Sequence, residues 1–363
     1  MIQPGLSGQW SVDTASYAGG KLTIISGFVG PYGLTVTSDG SLFVPDLKEG
    51  RIVRFSPELA YTGWLGMRAE DSAVSGWHTS GSPIRGDALG QFDFVHSVDF
   101  DPNGVLYAAD YTNARIHRYA ANGEFLGLFF DTPADTNLKF TGCPFAAFDR
   151  DGFFWVSDFD GNRIYKFNQR LELIGWLGEF AGGGITNGFA DSGSAQQSAA
   201  FGGLFKPHMI RTDAQGNFYV VESGNHRIQK FAPDGSFIGW LGTYSNGQLT
   251  NGWATDGTAI SSTQPGGFIA PVSLFIVGDS LLFVADNGNH RVQKFGIDGT
   301  FRGWMGAKAE GGVTSGWEMT GLSAESTDPG GFSAPFDVKY YNGTYYIADG
   351  HNGRIQIFEL ENL

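Results

Sequence analysis

A short pattern that recurs six times constrains the fold of this chain more than any other sequence feature. In each copy an Asp or Glu is followed, after four residues, by Arg and then by Ile or Val. The pairs are Asp46 and Arg51, Asp110 and Arg115, Asp158 and Arg163, Glu222 and Arg227, Asp286 and Arg291, and Asp349 and Arg354. Alternating apolar runs flank every copy, so each pair is predicted to flank the turn of a β-hairpin. Recurrence at a fixed period predicts a repeat architecture.

One complete unit predicts four short antiparallel strands with Gly, Asn and Asp at the corners, which is typical of a propeller blade. The stretches 222–231 and 286–295, Glu-Ser-Gly-Asn-His-Arg-Ile-Gln-Lys-Phe and Asp-Asn-Gly-Asn-His-Arg-Val-Gln-Lys-Phe, closely resemble the NHL repeat. The resemblance covers nearly the whole chain. It implies an all-β fold, a six-bladed β-propeller of the NHL type that occupies residues 1–363 as a single domain.

The two ends of the sequence predict how the ring closes. The sixth unit has a first strand at 336–340, a second at 344–348 and a third at 354–358, and the sequence ends before a fourth. The apolar run from Lys21 to Ile25 precedes the first unit. It is expected to supply the missing strand, which would leave no exposed edge in the last blade.

Composition narrows the partners. Thirty-seven acidic residues against 23 Lys and Arg give a formal net charge of −14. A nucleic-acid-binding face requires clustered Lys and Arg, and the sequence has no basic run, which argues against nucleic acid. It also shows no apolar run long enough to span a bilayer and no leader typical of secretion. We expect a soluble monomer without a membrane span, and the single Cys143 excludes an internal disulfide but leaves the compartment open.

Four connections between blades are long, at 67–91, 179–204, 243–267 and 307–331. They are predicted to surround one mouth of the central channel, on the face that holds the acid–Arg turns. Each carries an aromatic residue after Gly, namely Trp77, Phe189, Trp253 and Trp317. These aromatics either cap blade edges or contribute to a site. The acid–Arg pairs, by contrast, occur in every blade and are predicted to be structural, as are His226 and His290 in the repeat's own turn.

Alignment of the six first strands singles out two histidines. The residues that follow the strand openers are Tyr32, His96, Pro144, His208, Val272 and Phe336. His96 and His208 occupy one repeat position in alternate blades, about 120° apart around a six-fold ring. Both are expected to point toward the axis, where they could bind one divalent metal ion or one substrate. The alternative is that they are solvated channel residues.

This arrangement resembles the lyase of peptide amidation, another NHL-type propeller. That family holds a zinc ion with three His, one from each alternate blade at this strand start, with a Tyr and an Arg nearby. Here the resemblance implies His96 and His208 as metal ligands, with Phe336 in the third position. Asp337 follows, and strand alternation is predicted to turn it away from the axis. Tyr111 is a candidate phenol acid/base, and Tyr32, water or a substrate oxygen would complete the metal shell.

Two functions from different classes follow from the sequence. The first is an enzyme with a channel-mouth His site that performs metal-assisted lyase or hydrolase chemistry on a small-molecule or peptide ligand, with zinc as the expected ion. The second is a non-catalytic propeller that binds a protein or a glycan on the face surrounded by the loops. The two differ in whether metal is bound by the His pair.

Overall fold

The structure, a computed structural model, describes residues 10–17, 20–71, 76–129, 140–142 and 145–360. Within these ranges the chain is almost entirely β, and six sheets form the blades of a ring, as the repeat predicts. Two short 3₁₀ helices, Leu47–Glu49 and Asn287–Asn289, each lie in the turn between the second and third strands of a blade. No helix among the described residues is long and apolar enough to cross a membrane.

The strands follow one another around the ring. Before the first blade lie β1 (Ser11–Tyr17) and β2 (Gly20–Ser26). Blade 1 consists of β3 (Thr35–Val36), β4 (Leu42–Asp46), β5 (Arg51–Phe55) and β6 (Tyr61–Leu65). Blade 2 consists of β7 (Val95–Phe100), β8 (Leu106–Asp110), β9 (Arg115–Tyr119) and β10 (Phe125–Phe129). Blade 3 consists of β11 (Phe145–Phe148), β12 (Phe154–Asp158), β13 (Arg163–Phe167) and β14 (Leu173–Leu177).

The second half of the ring has the same plan with small additions in the loops. Blade 4 consists of β17 (Pro207–Thr212), β18 (Phe218–Glu222), β19 (Arg227–Phe231) and β20 (Phe237–Leu241), and the loop before it contains the pair β15 (Glu179–Phe180) and β16 (Ala195–Gln196). Blade 5 consists of β23 (Ser273–Val277), β24 (Leu281–Asp286), β25 (Arg291–Gly296) and β26 (Phe301–Lys308), and the loop before it contains the pair β21 (Thr243–Tyr244) and β22 (Ala259–Ile260). Blade 6 consists of β28 (Pro335–Tyr341), β29 (Thr344–Asp349) and β30 (Arg354–Glu359), and the loop before it contains β27 (Ser323–Ala324).

The sheet of blade 6 contains strands from both ends of the chain, in the order β1-β2-β30-β29-β28. Strand β2 runs antiparallel to β30, with Leu22 opposite Phe358 and Ile25 opposite Ile355. Leu22 and Ile25 are fully buried. Burial of these side chains removes apolar surface from water and stabilises the pairing of β2 with β30.

The acid–Arg pairs fix the connections between blades. In blade 4, Arg227 Nε donates to Glu222 Oε2 at 2.6 Å, and both side chains are buried. The same guanidinium donates to the carbonyl oxygens of Ala199, Ala200 and Gly203, which lie at the end of the preceding long loop. Each hydrogen bond to a charged donor at a buried site stabilises the loop end. The pair is therefore structural, as its presence in every blade predicts.

The prediction that the long loops surround the channel mouth is wrong for their aromatic segments. These segments lie beside the outermost strand of the preceding blade, through the backbone pairs Trp64 with His78, Trp176 with Ala190, Trp240 with Ala254, and Trp304 with Glu318. A cation from the third strand stands over each aromatic ring, Arg54 over Trp77, Lys166 over Phe189, Lys230 over Trp253 and Lys294 over Trp317. Covering the blade edge satisfies backbone groups that would otherwise be unpaired, so the aromatics are caps.

Candidate active site at the channel mouth

The first strand of each blade lines the central channel, and three of these strands carry a β-bulge at their start. The register shifts between Val95 and Ser97 in β7, between Pro207 and Ile210 in β17, and between Pro335 and Asp337 in β28. A bulge adds one residue to the strand and breaks the alternation of side chains between the two faces. The prediction that Asp337 turns away from the axis is therefore wrong.

The bulges bring His96 and His208 to one narrow cavity, together with Tyr32, Phe336 and Asp337. The two histidines are 8% and 7% exposed. About 10 Å³ of the cavity is open to the centre of a water molecule, which is roughly the room that one water or one metal ion needs. Nδ1 of His96 is buried and has no hydrogen-bond partner among the described residues.

An aromatic stack forms one wall of this cavity. The ring of Tyr32 lies between Phe336, at 4.3 Å, and His96, at 4.1 Å between ring centroids. Tyr111 lies against the other side of the His96 ring, at 4.7 Å and nearly parallel. The ring of His208 meets Phe159 edge to face at 4.7 Å. Both imidazoles are thus held in fixed orientations by their neighbours.

Burial controls the protonation of the site. It lowers the pKa of His208 to about 3, and the nearby Lys206 charge adds to the effect. Burial also lowers the pKa of His96 well below its usual value, with a further contribution from His208. Because a low-dielectric surrounding disfavours the charged form of a base, both imidazoles are neutral at neutral pH. Neutral imidazole is the form that binds metal.

The two tyrosines differ in their geometry. Tyr32 lines the cavity, and burial raises its pKa above the usual range. The hydroxyl of Tyr111 donates to Asp160 at 2.8 Å, and burial raises the pKa of Tyr111 to about 12. The structure therefore brings Tyr32, His96 and His208 together. The Tyr111 hydroxyl instead contacts the carboxylate of Asp160 in blade 3, outside this cavity.

The two imidazoles that line this cavity are the residues that would hold a divalent ion. Neutral rings, a buried nitrogen without a described partner and space for one small atom all suit such an ion. Among the described residues no group of three or more His, Cys, Asp or Glu side chains could hold a metal. Cys143 and Pro144 lie outside those residues. The remaining coordination positions would therefore belong to water, Tyr32 or a ligand.

A set of charged residues farther along the channel was not predicted from the sequence. Asp99, Arg211 and Lys339 occupy one position, four residues after the strand opener, in blades 2, 4 and 6. Together with Asp337 they line a wider cavity at the end of the channel opposite the histidines. The sequence feature that marks these residues is their common position in the first strands, four residues after the opener.

This chain is similar in sequence to the NHL repeat and in fold to several solved structures. Residues 206–231 match the sequence profile of the NHL repeat, and no curated protein matches the chain in sequence. Among solved structures, it is similar to virginiamycin B lyase from Staphylococcus aureus, with 13% identity, 97% of this chain and 100% of the other covered, and a TM-score of 0.50. It is also similar to a gluconolactonase from Xanthomonas campestris, with 13% identity, coverage of 93% and 89%, and a TM-score of 0.53.

An auxiliary nutrient binding protein from Bacteroides ovatus is similar as well. The two share 14% sequence identity, and the aligned region covers 92% of this chain and 70% of the other protein, with a TM-score of 0.55. At this level of identity the similarity concerns the fold. These neighbours agree with the β-propeller architecture.

Proposed function

We propose that this protein is an enzyme whose channel-mouth histidines, His96 and His208, hold a divalent metal ion, and that it catalyses a lyase or hydrolase reaction on a small-molecule or peptide ligand. The observation that carries the proposal is the meeting of two neutral histidines from alternate blades at one cavity. The buried Nδ1 of His96 has no described partner. A buried polar atom without a hydrogen bond is costly, and a bound ion would remove that cost.

Zinc is one of the ions that imidazole ligands suit, and catalytic zinc sites keep one coordination position open. When bound, such an ion supplies a Lewis acid that polarises a carbonyl group or lowers the pKa of a water molecule. The chain's own residues prepare the site for it. Tyr32 and Tyr111 clamp the His96 ring on both faces, so little rotational freedom remains to be lost on binding.

Tyr32 is the candidate proton donor. Its raised pKa keeps the phenol protonated at neutral pH, so it can donate a hydrogen bond to a ligand oxygen and act as a general acid rather than as a base. Tyr111 acts through His96. Its hydroxyl is bound to Asp160, so its role in this proposal is to position the imidazole.

The neighbours named above support this function class only broadly. Two of them are named as enzymes, a lyase and a gluconolactonase. A propeller is thus a scaffold on which both bond elimination and lactone hydrolysis occur. Fold similarity does not transfer a substrate, so the proposal extends to the reaction class and to the residues that would carry it.

Metal analysis of protein purified without a His tag tests the proposal. His208→Val places at this position the residue that blade 5 has, Val272, and should preserve the fold; His96→Val is its counterpart. The matched control is His226→Asn. His226 and Asn162 adopt the same φ of 53°, and each accepts a hydrogen bond from the following blade's backbone, at Ala270 and Lys206.

We expect the parent and the control to bind zinc with a stoichiometry near one, and either Val variant to lose most of it. Zinc titration followed by calorimetry gives the affinity directly. Equal zinc binding by the parent and both Val variants would contradict the site. A parent that binds no zinc, cobalt or manganese would leave the non-catalytic propeller that binds a protein or a glycan as the better hypothesis.

A further inference from the structure

The channel end opposite the histidines contains a second candidate site. The first strands of blades 2, 4 and 6 each place a charged side chain there, Asp99, Arg211 and Lys339, and the turns that follow form its rim. About 390 Å³ of this cavity is open to the centres of water molecules, a size typical of small-molecule sites. The channel is therefore wide enough at this end to admit an organic ligand.

Two of the charges at this site neutralise each other. Lys339 Nζ donates to both carboxylate oxygens of Asp337, at 2.9 and 2.7 Å. Asp337 also accepts hydrogen bonds from the backbone of Leu34, at 2.8 Å, and from the hydroxyl of Ser273. Burial lowers the pKa of Lys339 to about 8, while Asp337 opposes that shift. The carboxylate of Asp337 is thus saturated, and the pair adds no net charge to the cavity.

Arg211 is different, because no carboxylate of the described residues forms an ion pair with it. One hydrogen bond to those residues runs from its Nη1 to the carbonyl of Ile210, at 2.9 Å, and its guanidinium stands over the ring of Phe145 at 4.7 Å. Every Arg of the repeat, by contrast, contacts its acid, at 2.6 Å in blade 4 and 3.3 Å in blade 2. A guanidinium with free donors in a cavity favours an anionic ligand.

The surrounding charges define which anion fits. Asp99 and Asp337 both lie within electrostatic range of Arg211. Asp149 and the ion pair of Arg150 with Asp279 also line this cavity, so the acids outnumber the cations and a dianion would be repelled more strongly than a monoanion. Asp99 accepts the backbone N–H groups of Phe100, at 2.9 Å, and Phe148, at 3.0 Å, one on each oxygen. Each carboxylate oxygen retains a lone pair, which can accept a hydrogen bond from a hydroxyl of the ligand.

We propose that this end of the channel binds a small organic monocarboxylate through Arg211, with Asp99 accepting a hydrogen bond from a hydroxyl group of the same molecule. The cavity wall also includes Phe148, Phe275 and Ile276, which suits an apolar or aromatic body. The ligand class is thus a hydroxy acid with an apolar side. This cavity shares Asp337 with the histidine cavity, but neither Arg211 nor Asp99 lines the latter, and the proposal does not rest on the metal proposed there.

The probe is mandelate, which combines a carboxylate, an adjacent hydroxyl and a phenyl ring. Mandelamide lacks the charge, and phenylacetate lacks the hydroxyl. Calorimetric titration of the full-length protein should show mandelate binding about ten- to a hundredfold more tightly than mandelamide, the range expected for a charge-assisted hydrogen bond. Phenylacetate should bind several-fold more weakly than mandelate, about one hydrogen bond less.

Arg211→Ala should remove the preference for mandelate over mandelamide. This substitution introduces the residue that blade 3 has at the same position, Ala147. Asp99→Asn, which keeps one acceptor oxygen and loses the charge, should reduce the preference for mandelate over phenylacetate, and Asp99→Ala should remove it. The control Arg170→Ala changes an exposed Arg in a turn of blade 3 and should bind as the parent does. The His96→Val/His208→Val variant should also retain mandelate binding, which separates this proposal from the proposed function.

Arg211→Lys serves if Arg211→Ala does not fold, because it keeps the charge and loses the two-pronged donor geometry; it should bind mandelate several-fold more weakly. Three results would overturn the proposal. These are the absence of saturable mandelate binding by the folded parent, equal affinity for mandelate and mandelamide, and tighter binding of inorganic phosphate than of mandelate, which would indicate a general anion site.

Discussion

Blades 4 to 6 and blades 1 to 3 share one fold but hold their strands together in different ways. In blades 4 to 6 the third strand carries a Gln two residues after the Arg of the pair: Gln229, Gln293 and Gln356. In blade 5, Gln293 Nε2 donates to Asp286 at 2.9 Å and to the Gly267 carbonyl at 2.7 Å, while its Oε1 accepts the Gly266 N–H. Blades 1 to 3 have Val53, His117 and Tyr165 at this position.

The Arg residues of blades 4 and 5 differ from the others in burial. Arg227 and Arg291 have side chains 1% and 0% exposed, whereas the corresponding Arg side chains of the other four blades are 10% to 15% exposed. The segment that matches the NHL profile, residues 206–231, belongs to blade 4. The regular half thus carries the full hydrogen-bond network of the repeat. The irregular half retains the acid–Arg pair and replaces other members of that network.

The acid–Arg pair, which all six blades retain, is therefore the minimum the fold requires, while the Gln network of blades 4 to 6 adds hydrogen bonds to the long loop that precedes each of them. The long loop before blade 2 is held without a Gln, by hydrogen bonds from Arg115 to the carbonyl oxygens of Asp87, Ala88 and Gln91. The channel residues do not follow this division. His96 and Asp99 lie in blade 2, and His208 and Arg211 lie in blade 4. Candidate functional residues therefore depend on the position in the first strand, and not on how regular the blade is.

The largest effect is expected where the two halves meet, in the sheet of blade 6. Deletion of residues 1–27 removes β1 and β2 and exposes the edge of β30. Loss of the buried Leu22, Ile24 and Ile25 should lower the free energy of unfolding by on the order of 5 kcal/mol, at about 1.5–3 kcal/mol for each buried side chain. Urea denaturation followed by tryptophan fluorescence measures the change.

Leu22→Ala and Val12→Ala provide a matched pair for this test. Leu22 is fully buried between the strands, whereas Val12 is 47% exposed on the outer strand. Only the first substitution should destabilise the protein measurably, by about 2–5 kcal/mol. A truncated protein that unfolds at the same urea concentration as the parent would show that the ring does not depend on its N-terminal strands.

The second prediction compares one Arg from each half. Arg291→Ala should lower the free energy of unfolding by about 3–5 kcal/mol, because it leaves the buried Asp286 without its cation and removes three hydrogen bonds to carbonyl groups of the preceding loop. Arg51→Ala should cost less, about 1–3 kcal/mol, since among the described residues Arg51 contacts the carboxylate of Asp46 and the ring of Trp10.

Urea denaturation of both variants, at one pH and salt concentration, gives the difference. Metal and mandelate binding serve as controls, because neither Arg lines the channel cavities, and both should be unchanged in folded protein. Equal destabilisation by the two substitutions would contradict the division between the halves. Unchanged stability with complete loss of ligand binding would show that the pairs are functional.

The sequence predicts those features of the fold that a repeated motif encodes, and not those that depend on a local irregularity or on contacts between blades. The blade count and the turn positions of the pairs come from a motif whose spacing is fixed by hydrogen bonding across the hairpin, so Arg227 lies opposite Glu222 in the structure. The direction of Asp337 could not be predicted, because a β-bulge shifts the alternation and leaves no distinct sequence mark. The place of the loop aromatics depends on contacts with the neighbouring blade, which a single repeat does not encode.

The smallest predicted effect concerns His117, which stands where the regular blades have Gln. Its Nε2 lies 3.3 Å from Asp110 Oδ2 but forms no hydrogen bond with a described residue, and Nδ1 contacts the Tyr119 hydroxyl at 3.2 Å. In blade 4 the two corresponding residues are Gln229 and Phe231. His117→Gln combined with Tyr119→Phe installs that pair and should raise the free energy of unfolding by about 1 kcal/mol at pH 7.5.

The pH dependence makes this prediction sharper. Burial lowers the pKa of His117, with Asp110 opposing the shift, so the folded protein keeps this imidazole neutral. As the pH falls through the unfolded value of about 6.5, the unfolded chain takes up a proton that the folded protein does not, and stability is lost. Gln does not titrate. The advantage of the double variant should therefore grow between pH 7.5 and pH 5.

The other buried histidines are present in both proteins, so their contribution cancels in the difference between the parent and the double variant. Urea denaturation at several pH values measures that difference. A gap that stays constant with pH would show that His117 is as easily protonated in the folded protein as in the unfolded chain. A less stable double variant at every pH would show that blade 2 has adapted to its histidine, and that the Gln network cannot be transferred from the regular half.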